Sequence, residues 1–157
     1  DETLFSNGIF QTVISGVAVF IISQYVLELL IKPFKDYKNI KSEVANKLKY
    51  YSNRISNPLP QITNPLMGKN NEKEAEDYKE ASDNLRRLSC DLESKYYSNF
   101  NWIRKLFFRK DQIEEATSLL ILLSNSLFTF VFIDPSDQAL KNSEAIDKIK
   151  KLLNLNK

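Results

Sequence analysis

The sequence predicts an all-α protein, with an N-terminal transmembrane helix followed by a cytoplasmic bundle of about four helices. Three observations carry that prediction. The first is a long, nearly unbroken apolar run that starts at Ile9 and contains no base. The second is the recurrence of apolar residues at three- and four-residue steps in several later segments. The third is that no alternating apolar run is long enough to argue for a sheet.

The predicted span is Ile9–Ile31, after a short extracytoplasmic tail over residues 1–8. At about 1.5 Å per residue it crosses a hydrocarbon core of about 30 Å with some tilt. Thr12 and Ser15 are the only polar side chains between residues 12 and 22. Lys32, Lys35, Lys38 and Lys41 follow at once, while Asp1 and Glu2 precede the run. By the positive-inside rule, this flank charge puts the N-terminus outside and the domain in the cytoplasm. Gln24 and Glu28 stand four apart, on one helical face. Two readings stay open for them. Glu28 can reach headgroup water at the inner boundary, or both can serve a helix–helix contact in an oligomer, with Ser15, Gly16 and Ser23 permitting close approach.

Pro33 is expected to bend or break the chain as it leaves the span. Residues 32–56 form a basic juxtamembrane segment. Tyr37, Ile40, Val44, Leu48 and Tyr51 make its apolar stripe, and its lysines suit anionic headgroups. Residues 57–71 hold Pro58, Pro60, Pro65 and Gly68 among several Asn, and read as a loop. The remainder of the bundle occupies 72–157. Its first helix runs from about Glu72 to Ser98, with a stripe of Ala75, Tyr78, Ser82, Leu85, Leu88 or Ser89, Leu92 and Tyr96.

The stretch around residues 99–110 interleaves Trp102, Ile103, Leu106, Phe107 and Phe108 with Arg104, Lys105, Arg109 and Lys110. Three uses fit it: a membrane interface, stacking on a nucleotide or nucleic acid, or rings in the core with bases outside. Asp111 and Glu114 have capping-box spacing for a helix continuing to about Phe132. That helix is apolar nearly all round and is read as the buried centre, ended by Asp134-Pro135. A last helix, about Ser143 to Asn154, offers Ile146, Ile149, Leu152 and Leu153. Arg86 is expected to bond helix-end carbonyls or the Ser124, Asn125 and Ser126 side chains, in a polar network that Tyr50, Tyr51 and Asn53 would close; the alternative is a ligand pocket lined by these groups.

Chemistry is sparse. The chain has no His, one Cys and three Gly. That removes the commonest general base and metal ligand, intrachain disulfides and a glycine-rich phosphate cradle. No catalytic constellation, metal site or cofactor is expected, and nucleic acid is not the expected partner.

Three blocks stand out, Ile31 to Asn53, Glu80 to Ser89 and Glu115 to Leu127. Together they resemble an uncharacterised bacterial family of small single-pass membrane proteins with a cytoplasmic helical domain. The resemblance implies a bacterial inner-membrane protein and assigns no site residue. The expected role is a self-associating interaction module that contacts membrane lipids, by analogy an effector or adaptor in defence or signalling. The alternatives are an accessory subunit of a larger membrane complex and a cytoplasmic sensor of a small nucleotide or lipid headgroup, coupled to the membrane helix.

Overall fold

The computed structural model describes residues 8–60, 70–99, 101–129 and 134–155. It is all-α, and its contacts divide it into two compact units, Asp1–Asp36 and Tyr37–Lys157.

The first unit contains α1 (Gly8–Val26), continued by a π-helical turn over Leu27–Ile31. With the following α2 (Lys32–Tyr50) these make one 43-residue helix whose apolar first half is long enough to cross a membrane. No residue of α1 is buried in the structure. Thr12 and Ser23 donate to the carbonyls of Gly8 and Val19, four residues back, at 2.8 and 2.7 Å. Their hydroxyls therefore need no outside partner. Pro33 does not end the helix, contrary to the expectation from sequence. The reason is the π turn before it: the Lys32 amide donates to Leu27, five residues back. A proline has no N–H to give, and its ring crowds the preceding turn. The wider turn accommodates both deficits.

The second unit is an antiparallel four-helix bundle. Its members are α2 extended by α3 (Ser52–Ser56), α4 (Asn70–Tyr97), α6 (Lys110–Ser126) and α7 (Pro135–Leu152). A short α5 (Asn101–Phe107) lies in the α4–α6 connection. Side-chain pairs fix the directions. Tyr51 meets Asn84 and Arg54 meets Asp77, so α2–α3 runs against α4. Ser82 bonds Ser124 and Ser89 bonds Thr117, so α4 runs against α6. Asn142 on α7 reaches the Ile55 carbonyl at 2.8 Å and closes the ring of helices. A two-residue parallel pairing of β1 (Leu59–Pro60) with β2 (Phe128–Thr129) ties the loop ends together.

The core is one apolar face from each helix. Ile40, Val44, Leu48, Tyr51 and Ile55 come from α2–α3, and Tyr78, Ala81, Leu85, Leu88, Leu92 and Tyr96 from α4. Ile113, Ala116, Leu120 and Leu123 come from α6, Ala145, Ile149 and Leu153 from the α7 end of the chain, and Ile103, Phe108 and Leu127 from α5 and the two flanks of α6. Each large side chain among them contributes roughly 1.5–3 kcal/mol of transfer free energy. Ala75 is exposed, not part of the stripe.

Three boundaries differ from expectation. Of the loop 57–71, residues 61–69 lie outside the described residues, and Asn70 and Asn71 already belong to α4. The third bundle helix ends at Ser126 rather than near Phe132, because Phe128 and Thr129 enter the β pairing; residues 130–133 lie outside the described residues. Asp134-Pro135 starts α7 instead of merely closing α6. The Asp134 side chain accepts from the Ser136 amide and hydroxyl at 2.9 and 2.7 Å, and Pro135 sits in the first turn, where no N–H is needed.

Candidate functional site

Two surfaces of the bundle stand out, one aromatic and basic, the other apolar. The first is a corner built around Tyr37 of α2, where α4 ends and α5 passes into α6. Phe108 fills it. Its ring centroid lies 4.5 Å from Tyr37 and 6.4 Å from Tyr96, both edge-on. Such pairs are favourable beyond the area they bury. Phe108 is therefore a core residue, and its expected place in a membrane interface is corrected. Three rings packing in one corner outweigh its surface position in the sequence.

Cations surround the rings. The Arg104 guanidinium lies 5.5 Å from the Tyr96 centroid and 5.3 Å from that of Tyr97. Lys41 reaches to 5.5 Å from the Tyr37 ring. These are cation–π distances. Lys105 and Arg109 are exposed, and Trp102 is 52% exposed while its neighbour Ile103 is fully buried. The Phe107 side chain lies outside the described residues. Glu114 does not form a capping box with Asp111: α6 starts at Lys110, one residue earlier, and Arg109 caps it without a side-chain bond. Glu114 instead accepts from the Tyr97 hydroxyl and pairs with Lys110, both at 3.2 Å. Burial pushes the Tyr37 hydroxyl up to about 12, and the hydrogen bond to Glu114 pushes that of Tyr97 up as well.

The second surface is a groove of about 710 Å³ between α6 and α7. Leu119, Ile121, Leu122, Phe128 and Ala145 form its apolar floor, and Lys141, Glu144 and Lys148 stand at its edge. Ile121 and Leu122 are 37% and 47% exposed. The expectation that α6 is buried all round is therefore corrected. One face is core, and the opposite face is open because α7 covers it only in part. Lys148 pairs with Glu115 across the two helices.

The polar network expected at Arg86 has a definite geometry. Arg86 donates to the Ser124 hydroxyl at 3.1 Å and to the Asn125 side-chain oxygen at 2.6 Å. Ser124 donates onward to the Ile121 carbonyl at 2.8 Å. Tyr50, Tyr51 and Asn53 do not close this network. Tyr51 accepts from Asn84, Asn53 accepts from Asn57, and Tyr50 is exposed. They sit on α2–α3, a different flank of α4. Every member is accounted for by helix-to-helix bonding, so the network is a tie within the bundle.

In the first unit, Ser15, Gly16, Ser23 and Gln24 are exposed, and a methyl group added to Gly16 would meet open space. Glu28 pairs with Lys32 at 3.3 Å. Lys35 and Lys38 are exposed. Among the described residues no group of three or more His, Cys, Asp or Glu could hold a metal ion. Reasoning from sequence missed the two tyrosines behind Arg104. Their pairing with a base seven and eight residues on crosses a helix break, which no periodicity encodes. It also missed the open face of α6. The signal available for that was the shortage of apolar residues on α7 relative to α6.

Comparison with protein-family models, curated proteins and solved structures finds no match.

Proposed function

We propose that this chain is a membrane-anchored helical interaction module that associates with copies of itself. It would sit in a bacterial inner membrane, N-terminus outside and bundle in the cytoplasm. One observation carries the reading. The helix Gly8–Tyr50 exposes apolar side chains all around its first half, while its second half supplies Ile40, Val44 and Leu48 to the bundle core. Apolar surface on that scale is costly in water and needs lipid or protein around it. The lysines just after it agree with a cytoplasmic flank. Small and polar positions at Ser15, Gly16, Ser23 and Gln24 offer a surface for a second copy of the helix.

The test is the mass of the full-length protein in nanodiscs by light scattering, beside Gln24→Leu/Glu28→Leu and Gly16→Ile variants. A defined oligomer that falls to a monomer in either variant supports the reading. A wild-type monomer at all accessible concentrations rules out self-association. A second reading, an accessory subunit of a larger membrane complex, is favoured by the α6–α7 groove. It expects that wild-type monomer. It also expects a partner whose retention is lost on Ile121→Lys/Leu122→Lys.

A further inference from the structure

The corner that carries Trp102 has a use beyond anchoring. We infer that it is a second bilayer contact, in which Trp102 enters the headgroup layer and Lys105 and Arg109 bind the phosphates of anionic lipid. The inference rests on the membrane-anchored reading and adds a site and a lipid class to it.

Four observations converge. Position comes first. Phe108 packs on Tyr37, the first residue of the bundle unit, only four residues beyond Pro33. The α5–α6 junction is therefore at the end of the bundle where the chain arrives from the apolar helix. Charge comes second. Residues 101–110 carry Arg104, Lys105, Arg109 and Lys110 and no acid. In the sequence Tyr37 is itself flanked by Lys32, Lys35 and Lys38. Third, Trp102 is half exposed next to a fully buried Ile103, so the ring is held out of the core by its neighbour's burial. An indole with an apolar body and one N–H donor suits the headgroup depth. Fourth, Arg104 is stacked over Tyr96 and Tyr97, which stiffens the base of the corner. Each well-placed base near an anionic surface adds attraction that falls off within a Debye length. A nucleic acid would also meet bases and one ring here. The favoured occupant is the bilayer, because the corner lies at the end where the apolar helix joins.

Trp102 is the only tryptophan, so it reports on its own site. The experiment uses full-length protein in nanodiscs of phosphatidylcholine alone and of phosphatidylcholine mixed with phosphatidylglycerol. Acrylamide quenches the indole from water, and brominated lipid quenches it from the bilayer. The expected result is several-fold weaker acrylamide quenching, with strong bromolipid quenching, in the anionic discs only. Lys105→Gln/Arg109→Gln should restore acrylamide access without changing the far-ultraviolet circular dichroism. Equal quenching in the two lipids overturns the proposal. So does equal protection by inorganic phosphate in the neutral discs, which marks a small-anion site, or by an oligonucleotide, which marks a nucleic-acid site. Failure of the anchoring reading looks different: the protein would not incorporate into either disc.

Discussion

Asn142 sits fully buried with its amide on the Ile55 carbonyl at 2.8 Å and its side-chain oxygen accepting from Gln138 at 3.0 Å. Truncation leaves the Ile55 carbonyl dry and without that donor, which costs roughly 1–3 kcal/mol. Asn142→Ala should therefore lower the urea midpoint of the full chain in detergent, while Gln138→Ala, at a half-exposed position, should do so far less. Tyr37 gives a pH test. Its hydroxyl ionises near 10.0 when unfolded and near 12 when packed beside Phe108. The stability it adds is complete below pH 10, falls as pH rises between those values, and is gone above the folded value. Burial raises Tyr51 and Tyr78 too, so they share this sign. Tyr37→Phe should move the alkaline unfolding midpoint upward, leaving the neutral-pH midpoint nearly unchanged. An unmoved alkaline midpoint would show that the Tyr37 hydroxyl is not excluded from water. Asp134 has the opposite sign. Two bonds from Ser136 hold its carboxyl below the usual range, so its cap is present above that range and weakens as acid protonates it.

Helix pairing is where sequence and structure agree and part in instructive ways. The α2 and α4 stripes were legible because burial repeats at three and four residues, as in Ile40, Val44 and Leu48. Arg86 and the Ser124–Asn125 pair could be joined by logic, since a base and hydroxyls on facing helices need partners. What periodicity does not carry is which end of a helix a short connection covers, or which apolar face goes without a neighbour. Phe108 and Ile121 show the two failures. Phe108, for which the sequence left interface and core both open, is core; Ile121, on a helix read as buried, is open. Pro33 and Pro135 show a third, since a proline can start a helix or follow a π turn as well as end one. The α4–α6 seam gives a prediction of its own. Ser82 and Ser89 are small and donate to α6 carbonyls at 2.9 and 3.0 Å, so the helices approach closely along Ala81 and Leu85. Leu85→Ala should cost about 2–5 kcal/mol through the cavity it leaves. Ser89→Ala should cost about 1 kcal/mol, and Ser89→Leu more than that by overpacking the seam. Denaturant melts of the three variants rank these effects. A harmless Ser89→Leu would mean the helices are not in close contact there.

For the molecule as a whole, the prediction concerns the open α6–α7 groove. Ile121→Lys/Leu122→Lys replaces exposed side chains, so thermal stability should stay within about 0.5 kcal/mol of wild type. A large loss of stability would mean that this face is already covered within the folded protein. The bundle is also uneven in charge from end to end. Between residues 72 and 83 stand six acids, Glu72, Glu74, Glu76, Asp77, Glu80 and Asp83, against Lys73 and Lys79, a net of −4. Residues 101–110 carry four bases and no acid, a net of +4, and Tyr96 and Phe108 hold that set at the far end of α4. At about 1.5 Å per residue the 28 residues of α4 are about 42 Å long. The helix α4 with the connection that follows it thus carries opposite charge at its two ends. A dipole in a field feels a torque as well as a pull. Any negatively charged surface would turn the basic pole toward itself and swing the acidic pole outward. That alignment rests on long-range forces that salt screens beyond about 8 Å at physiological ionic strength. Raising salt should therefore weaken that alignment.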